Sequence, residues 1–373
     1  MPQVVVTGIG LLSSLGSAEL TWKNLLAGLT GIQRAQPFLE FSAQPLGLIK
    51  SRPSTINELL PVLVLDALRD AGLSSFQPDC GVVIGSSRGC QQDWETQLFS
   101  EHRTTVWTES LPHQAAVLAS TFLQAQGPVL SPMAACATGI WAIVQGAELI
   151  RQGLCDRVVA GAVEAPITRL SIAGFSKIRA LAKTGLYPFD SQREGLVLGE
   201  GGALFVLEKL EVARARLAPR MYGEVLGAGL TCDAYHVSAP ASDNRMAKRA
   251  ITECLRRSQL MTEQVGYVHA HGTSTRLNDA READLLSSIL PEAWASSTKG
   301  ATGHTLGASG ALGLAFCLLA LRDRLLPPCV GLREAEFPLR LVQKTISEDI
   351  NYALSQSFGF GGQNAVVAVG RIE

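Results

Sequence analysis

ALRDAGLSSFQPDCGVVIGSS (residues 67–87) and CLRRSQLMTEQVGYVHAHGTS (residues 254–274) read as one passage written twice. Each closes a helical stretch on Leu-Arg, passes a turn, and runs a strand into small polar residues. A second pair follows in the same order. GIWAIVQGAELIRQG (139–153) and GALGLAFCLLALRDR (310–324) share helical apolar spacing and an LIR/ALR close. The offsets are roughly 170 to 187 residues, so an α/β half has been duplicated within the chain. Two such halves are expected to fuse into one five-layered α-β-α-β-α domain with the active site at their junction. The expected division is 1–217 and 218–373.

Working outward, short β-branched strands alternate with longer helical patterns. Val4–Thr7 reads as a strand followed by a glycine turn, and Leu20–Ala27 as a helix. Leu59–Ala71 has helical spacing and stops at Gly72; Gly81–Ile84 is a strand. Ile140–Arg151 reads as a helix ending at Gly153, and Arg157–Ala160 as another strand. This alternation predicts an α/β fold with buried, largely parallel sheets. No Pro-rich or low-complexity linker divides the chain, and the basic cluster from Lys209 to Arg220 reads as a solvated helix and connection.

The composition narrows the function classes. Of 373 residues 47% are apolar and 17% charged, which excludes disorder as the main state. A net charge of −1 argues against nucleic acid as a partner. Residues 1–10 lack the basic start and long apolar run of a signal peptide. The longest nearly apolar run, Ala311 to Leu321, is eleven residues and too short for a bilayer, so no membrane role is expected. The eight cysteines form no CxxC pair, so no metal site is expected; most read as reduced, buried and apolar. The expected compartment is the cytoplasm.

Four segments carry chemistry. In SPMAACATGIWAIVQGAELI (131–150), Cys136 lies at the turn into a helix among small residues. A helix start favours a thiolate, and the alanines leave room for a bulky acyl group. In YVHAHGTSTRLND (267–279), a strand delivers His269 and His271 to a Gly-Thr-Ser-Thr loop. STKGATGHTLGASGALG (297–313) sets Lys299 and His304 in a glycine-rich loop, where the lysine keeps a nearby imidazole neutral. SFGFGGQN (357–364) alternates glycines that let the backbone bend closely around a ligand.

With these segments, the sequence resembles the β-ketoacyl synthases, condensing enzymes of fatty-acid and polyketide synthesis with a thiolase-like fold. The likeness runs from VVVTGIG (4–10) to SFGFGGQN and includes PFDSQREGLVLGEGGALFVLE (188–208), DAYH (233–236) and LRDRLLPP (321–328). It implies a nucleophile Cys136 in the N-terminal half and a catalytic pair, His271 and His304, in the C-terminal half, with Lys299 supporting His304. It also implies an oxyanion hole from the backbone N–H groups of Cys136 and Phe360, with Phe360 as gate. Thr273, Thr275, Phe358, Gly359 and Gly361 are implied as substrate-binding. The implied reaction is a decarboxylative Claisen condensation of an acyl thioester, held on Cys136, with a malonyl thioester. It needs no cofactor. The implied partners are an acyl carrier protein and a second subunit, as a homodimer or a heterodimer.

The chain departs from the family at several places. Gly313 stands where a glutamate is usual, which bears on the setting of Lys299; Asp279 and Glu282 match acidic positions. His269 replaces an asparagine, Gln363 a threonine, and Tyr187 an arginine. The stretch from about 33 to 110 is short, and the basic run expected before the helix ending at Gly72 is SRPSTINELLP, with only Arg52. Rival readings are a catalytically impaired chain-length or scaffold subunit, a thiolase or initiation-type enzyme, and a hydrolase using Ser87 of Gly85-Ser-Ser-Arg-Gly89. The opening GIGLLS only mimics a nucleotide-binding loop.

Overall fold

A computed structural model describes residues 2–99 and 107–372. The N-terminal half runs β1 (Val4–Ser13), α1 (Ile56–Asp70), β2 (Cys80–Gly85), α2 (Gln114–Leu123), β3 (Val129–Leu130), α3 (Thr138–Arg151), β4 (Arg157–Glu164) and β5 (Gly201–Lys209). The C-terminal half repeats the order: β6 (Gly223–Cys232), α4 (Arg245–Ser258), β7 (Val265–His269), α5 (Arg276–Ile289), β8 (Trp294–Ser296), α6 (Ser309–Asp323), β9 (Tyr352–Gly359) and β10 (Gln363–Gly370). The strand orders are β3-β2-β4-β5-β1 and β8-β7-β9-β10-β6, and β1 joins β6. The two passages that opened the sequence reading are the α1–β2 and α4–β7 units, and the matched helices are α3 and α6. The division we propose, 1–217 and 218–373, falls between the short helix Leu210–Ala215 and β6.

The sheets are mixed, not largely parallel. In each half the first two pairings are parallel and the last two antiparallel. Strand pleating assigns each face to one layer. Phe205 and Leu207 of β5 face the central core, while Leu204 and Val206 face the layer under α1 and α2. Val367 and Val369 of β10 face the same central core, and Val366 and Ala368 face α4 and α5. The layers are therefore α1/α2, sheet, α3/α6, sheet, α4/α5.

The middle layer explains the most apolar stretch. Every residue from Ser309 to Leu321 of α6 is buried, as expected of a helix apolar on all sides. Together with the turn before it, Leu306–Asp323 spans eighteen residues and matches a membrane span in length and composition, unlike the eleven-residue run read from sequence. It lies 89% inside the protein, clamped between sheets.

Two local readings change. β1 continues to Ser13 through Gly8 and Gly10 with no turn there. A Cβ at Gly8 would lie 2.2 Å from the Ala67 carbonyl oxygen and one at Gly10 2.0 Å from that of Leu63, so these glycines let α1 lie on the strand. α1 begins at Ile56, earlier than its apolar spacing suggests, because Thr55 and Glu58 form a capping box. All eight cysteines are free; Cys80, Cys90, Cys254, Cys317 and Cys329 are buried, and Cys232 is exposed.

The fold also buries a carboxylate. Glu208 of β5 is fully inaccessible and accepts from Thr7 Oγ1 at 2.6 Å, Arg157 Nε at 2.9 Å and Arg216 Nε at 3.0 Å. Arg216 of the basic cluster is thus a partner of the interior, not simply a solvated cation. Burial raises the Glu208 carboxyl, but Arg216 and Arg157 outweigh it and hold the group below the usual range. Its stabilisation is therefore complete above the ordinary carboxylate pKa and lost as pH falls through the lowered value. Glu208→Ala, which strands two guanidiniums, should lower stability by roughly 3–5 kcal/mol in urea titrations at neutral pH.

Candidate active site

The site assembles where the middle-layer helices begin. Cys136 stands two residues before α3, in a turn where Ala135 has φ +48°. A non-glycine residue there is strained by about 1–3 kcal/mol and must be held. Thr138 Oγ1 accepts from the Ala134 N–H at 2.9 Å and donates to the Ala135 carbonyl at 2.7 Å. Ser357 at the end of β9 donates to the Cys136 carbonyl at 2.7 Å. His304 is held by its N–H on the Val197 carbonyl at 2.7 Å, within the segment matched by PFDSQREGLVLGEGG. His271 follows β7 by two residues, and Glu282 of α5 accepts the N–H groups of His271 and Gly272, each at 2.6 Å.

These elements bring three reactive groups together. His304 Nε2 lies 3.4 Å from Cys136 Sγ, and the donor atoms of Cys136, His271 and His304 all lie within 4.8 Å of one another. The two rings meet edge to face at 5.4 Å, and Phe358 packs on His271 at 6.0 Å. Neither Nδ1 has a protein hydrogen-bond partner among the described residues. A cavity of about 490 Å³ opens onto this cluster, walled by Thr273, Thr275, Phe358, Gly359 and Phe360. Gly361 stays outside the wall, donating its N–H to the Val237 carbonyl at 2.9 Å; Gly362 lines it instead. Phe360 is 38% exposed, packs against Phe175 with tilted rings at 6.1 Å, and directs its N–H at the Cys136 sulfur.

Burial sets the protonation states. It pushes the Cys136 thiol up to about 11, although Lys299 and Arg88 pull it back. The thiolate expected from the helix start is therefore not the resting form: α3 begins at Thr138, and desolvation outweighs its dipole. Burial first, then Lys299, holds His271 and His304 well below the usual imidazole range, so both rings are neutral. Lys299 donates to the His271 carbonyl, and its charge also lowers His304, the direction expected of a lysine near that ring. Burial draws Lys299 down and Glu282 up, while each holds the other toward its charged form. The same three donors are a possible soft-metal set, but the ammonium beside His271 opposes a dication.

Sequence reasoning missed one participant and named another without a role. Glu164, fully buried at the end of β4, accepts from Ser86 Oγ at 2.6 Å, Ser87 Oγ at 2.6 Å and the Gly307 N–H at 3.0 Å. It ties the loop after β2 to the turn before α6, and it occupies the Ser87 hydroxyl that a hydrolase would need. A lone acid closing the apolar strand RVVAGAVE was its signal. The second is His269, whose Nε2 meets Thr298 Oγ1 at 3.0 Å, beside Lys299. Part of the shortened 33–110 stretch lies outside the described residues.

Comparison with known proteins agrees with this geometry. The profile of the β-ketoacyl synthase N-terminal domain matches residues 40–213, and that of the C-terminal domain residues 222–333. A 3-oxoacyl-[acyl-carrier-protein] synthase 2 of Staphylococcus aureus (strain COL) is 34% identical over 412 aligned residues, covering 100% of this chain and 99% of that one. Among solved structures, the ishigamide ketosynthase/chain length factor superposes with a TM-score of 0.92 at 27% identity, covering both chains fully. A type II PKS acyl-carrier protein in complex with its ketosynthase bound to the hexaketide gives 0.92 at 26% identity, again over both chains fully.

The departure at Gly313 has a geometric reason. A Cβ there would lie 2.5 Å from His269 Nδ1 and 2.8 Å from Ser355 Oγ, so His269 fills the space a larger residue would take. Gly313→Ala should destabilise the protein by roughly 1–3 kcal/mol through overpacking. Adding His269→Ala should recover part of that loss, giving a non-additive cycle in thermal denaturation. Additive effects would show that the two positions do not share the space.

Proposed function

The chain belongs to the β-ketoacyl synthase family, and from that premise we propose that Cys136 carries the acyl group while His271 and His304 stabilise the enolate of the incoming unit. The observation that carries this reading is one soft nucleophile within hydrogen-bonding reach of a neutral imidazole, with a second imidazole edge-on to it. The enzyme is an acyltransferase that condenses an acyl thioester with a malonyl thioester and releases a 3-oxoacyl thioester.

In the first half-reaction the Cys136 sulfur attacks the thioester carbonyl. The carbon–sulfur bond to the carrier breaks, and the thiol proton ends on the released carrier thiol. His304 Nε2 is placed to pass that proton on. The Phe360 N–H, with that of Cys136, holds the oxyanion. The malonyl thioester then binds and loses carbon dioxide, and its electron pair moves onto the thioester carbonyl oxygen. The N–H groups of His271 and His304 stabilise that enolate, and they do so best as neutral donors in a dry cavity. The carbanion attacks acyl-Cys136, the thioester bond to sulfur breaks, and the sulfur recovers one proton from solvent.

Lys299 is assigned as a positioning residue for His271, and Thr273, Thr275, Phe358 and Gly359 as the walls that hold the substrate. The donor is an acyl carrier protein, and the compartment we assign is the cytoplasm. The exposed apolar edge at Val129, Leu130 and Met133 is the surface we assign to a second subunit, identical or of the chain-length-factor kind. The intact cysteine–histidine cluster disfavours a purely scaffolding role.

Intact-mass spectrometry after incubation with an acyl thioester should show an adduct on Cys136, absent in Cys136→Ala and discharged as a 3-oxoacyl product by malonyl thioester. No adduct from any donor, with the thiol reduced, would overturn the reading in favour of the scaffold subunit. His271→Ala and His304→Ala should each slow condensation by roughly 10²–10³-fold. Because the Cys136 thiol is raised to about 11, its alkylation by iodoacetamide should still be accelerating above pH 9, where an unperturbed thiol has levelled off.

A further inference from the structure

Exposed arginines line the cavity mouth on both sides, Arg179 in the N-terminal half and Arg276 in the C-terminal half. On the C-terminal side the mouth is lined by Ser238, Ala239 and Pro240, from the connection between β6 and α4, and by Thr275 to Asn278 at the start of α5. The first turns of the two helices are tied together here: Asn244 Nδ2 donates to the Arg281 carbonyl at 3.2 Å, and Arg281 Nε to Asn244 Oδ1 at 3.0 Å. Just beyond, Arg245, Lys248 and Arg249 are exposed at i, i+3 and i+4, which places them on one face of α4. Arg245 has only Asp243, at 3.8 Å; among the described residues Lys248 and Arg249 show no ion pair. Arg276 stands exposed on the lip itself.

This arrangement runs against local helix physics. A helix start carries partial positive charge and favours acids, yet the first turn of α4 contains none and opens with Arg245. Each cation placed there costs about 0.3–1 kcal/mol. Such local conflicts persist where another demand is met. The helix-start dipoles of α4 and α5 add to the same positive potential. Acids face part of this charge, Asp243 against Arg245, Glu253 near Arg249 and Glu336 near Arg276, while Asp233 is already taken by the Ala241 N–H at 2.9 Å and Asn364 Nδ2 at 2.7 Å. On the N-terminal side Arg179 also lines the mouth, beside Glu194, but at the start of α1 Lys50 and Arg52 both lie against Glu58, and Tyr187 stands where the family has an arginine.

We propose that the acyl carrier protein, an acidic partner, docks on the C-terminal rim of the mouth against Arg245, Lys248, Arg249 and Arg276 rather than against the start of α1. This rests on the condensing-enzyme reading for its partner, and charge complementarity selects the face. The approach delivers the thioester past Thr275 to Cys136.

The test uses an acidic acyl carrier protein loaded with an octanoyl thioester, and octanoyl-N-acetylcysteamine as a donor that bypasses the carrier. The Lys248→Glu/Arg249→Glu variant should bind the carrier at least about tenfold more weakly at low salt, with the difference shrinking as salt rises. Acylation of Cys136 by the small donor should continue in that variant. Lys50→Glu/Arg52→Glu should leave carrier affinity as it is. Full affinity in the Lys248/Arg249 variant, an equal loss in the Lys50/Arg52 variant, or no carrier binding by the unmodified protein would each overturn the proposal. Carrier binding through this face without acylation by either donor would instead leave the docking standing and sink the assignment of Cys136.

Discussion

Two central helices, one buried on every side and one buried over most of its surface, dictate this molecule. Residues Ser309 to Leu321 of α6 are buried on every side, and α3 presents only Trp141 and Gln145 as partly accessible within its first eight residues. Such helices must be covered from both sides, and a single sheet covers one. The duplication supplies the second sheet, so α3 and α6 pack against each other between the two. The loops leading into them, with Cys136 ahead of one and His304 ahead of the other, then emerge at one junction. The reactive cluster is a consequence of satisfying that burial.

The same burial sets the chemistry. A thiol, two imidazoles and an ammonium sharing a dry site cannot all carry charge at low cost, and the structure resolves this toward neutral resting forms. Charge is kept only where a partner faces it, as with Lys299 and Glu282. The neutral rings are then available as hydrogen-bond donors where negative charge develops. Outside the cavity the logic reverses, and the cations along α4 stand in solvent, where they cost little and act over a distance.

Much of this was legible in the chain. The repeated passages located both helix–strand units and the paired central helices, and four short segments named the groups that meet in the cavity. Strand direction was read less well, since β4–β5 and β9–β10 pair antiparallel without leaving any motif. The glycines of β1 resembled a turn because their reason is the helix above them, fifty residues on. Glu164 escaped, and His269 was named without a role, because their partners, Gly307 in one case and Thr298 and Gly313 in the other, are distant in sequence.

The sequence by itself determined the duplication, the five-layer plan and the kinds of reactive side chain, because these depend on periodicity and on residue chemistry. Tertiary structure alone decided that Cys136 rests as a thiol, that the Lys299 ammonium meets the His271 carbonyl, that Ser87 belongs to Glu164, and that Gly313 makes room for His269. Each of these turns on which atoms exclude water from a group or occupy the space beside it. Those atoms come from segments brought together only when both sheets close on the central helices.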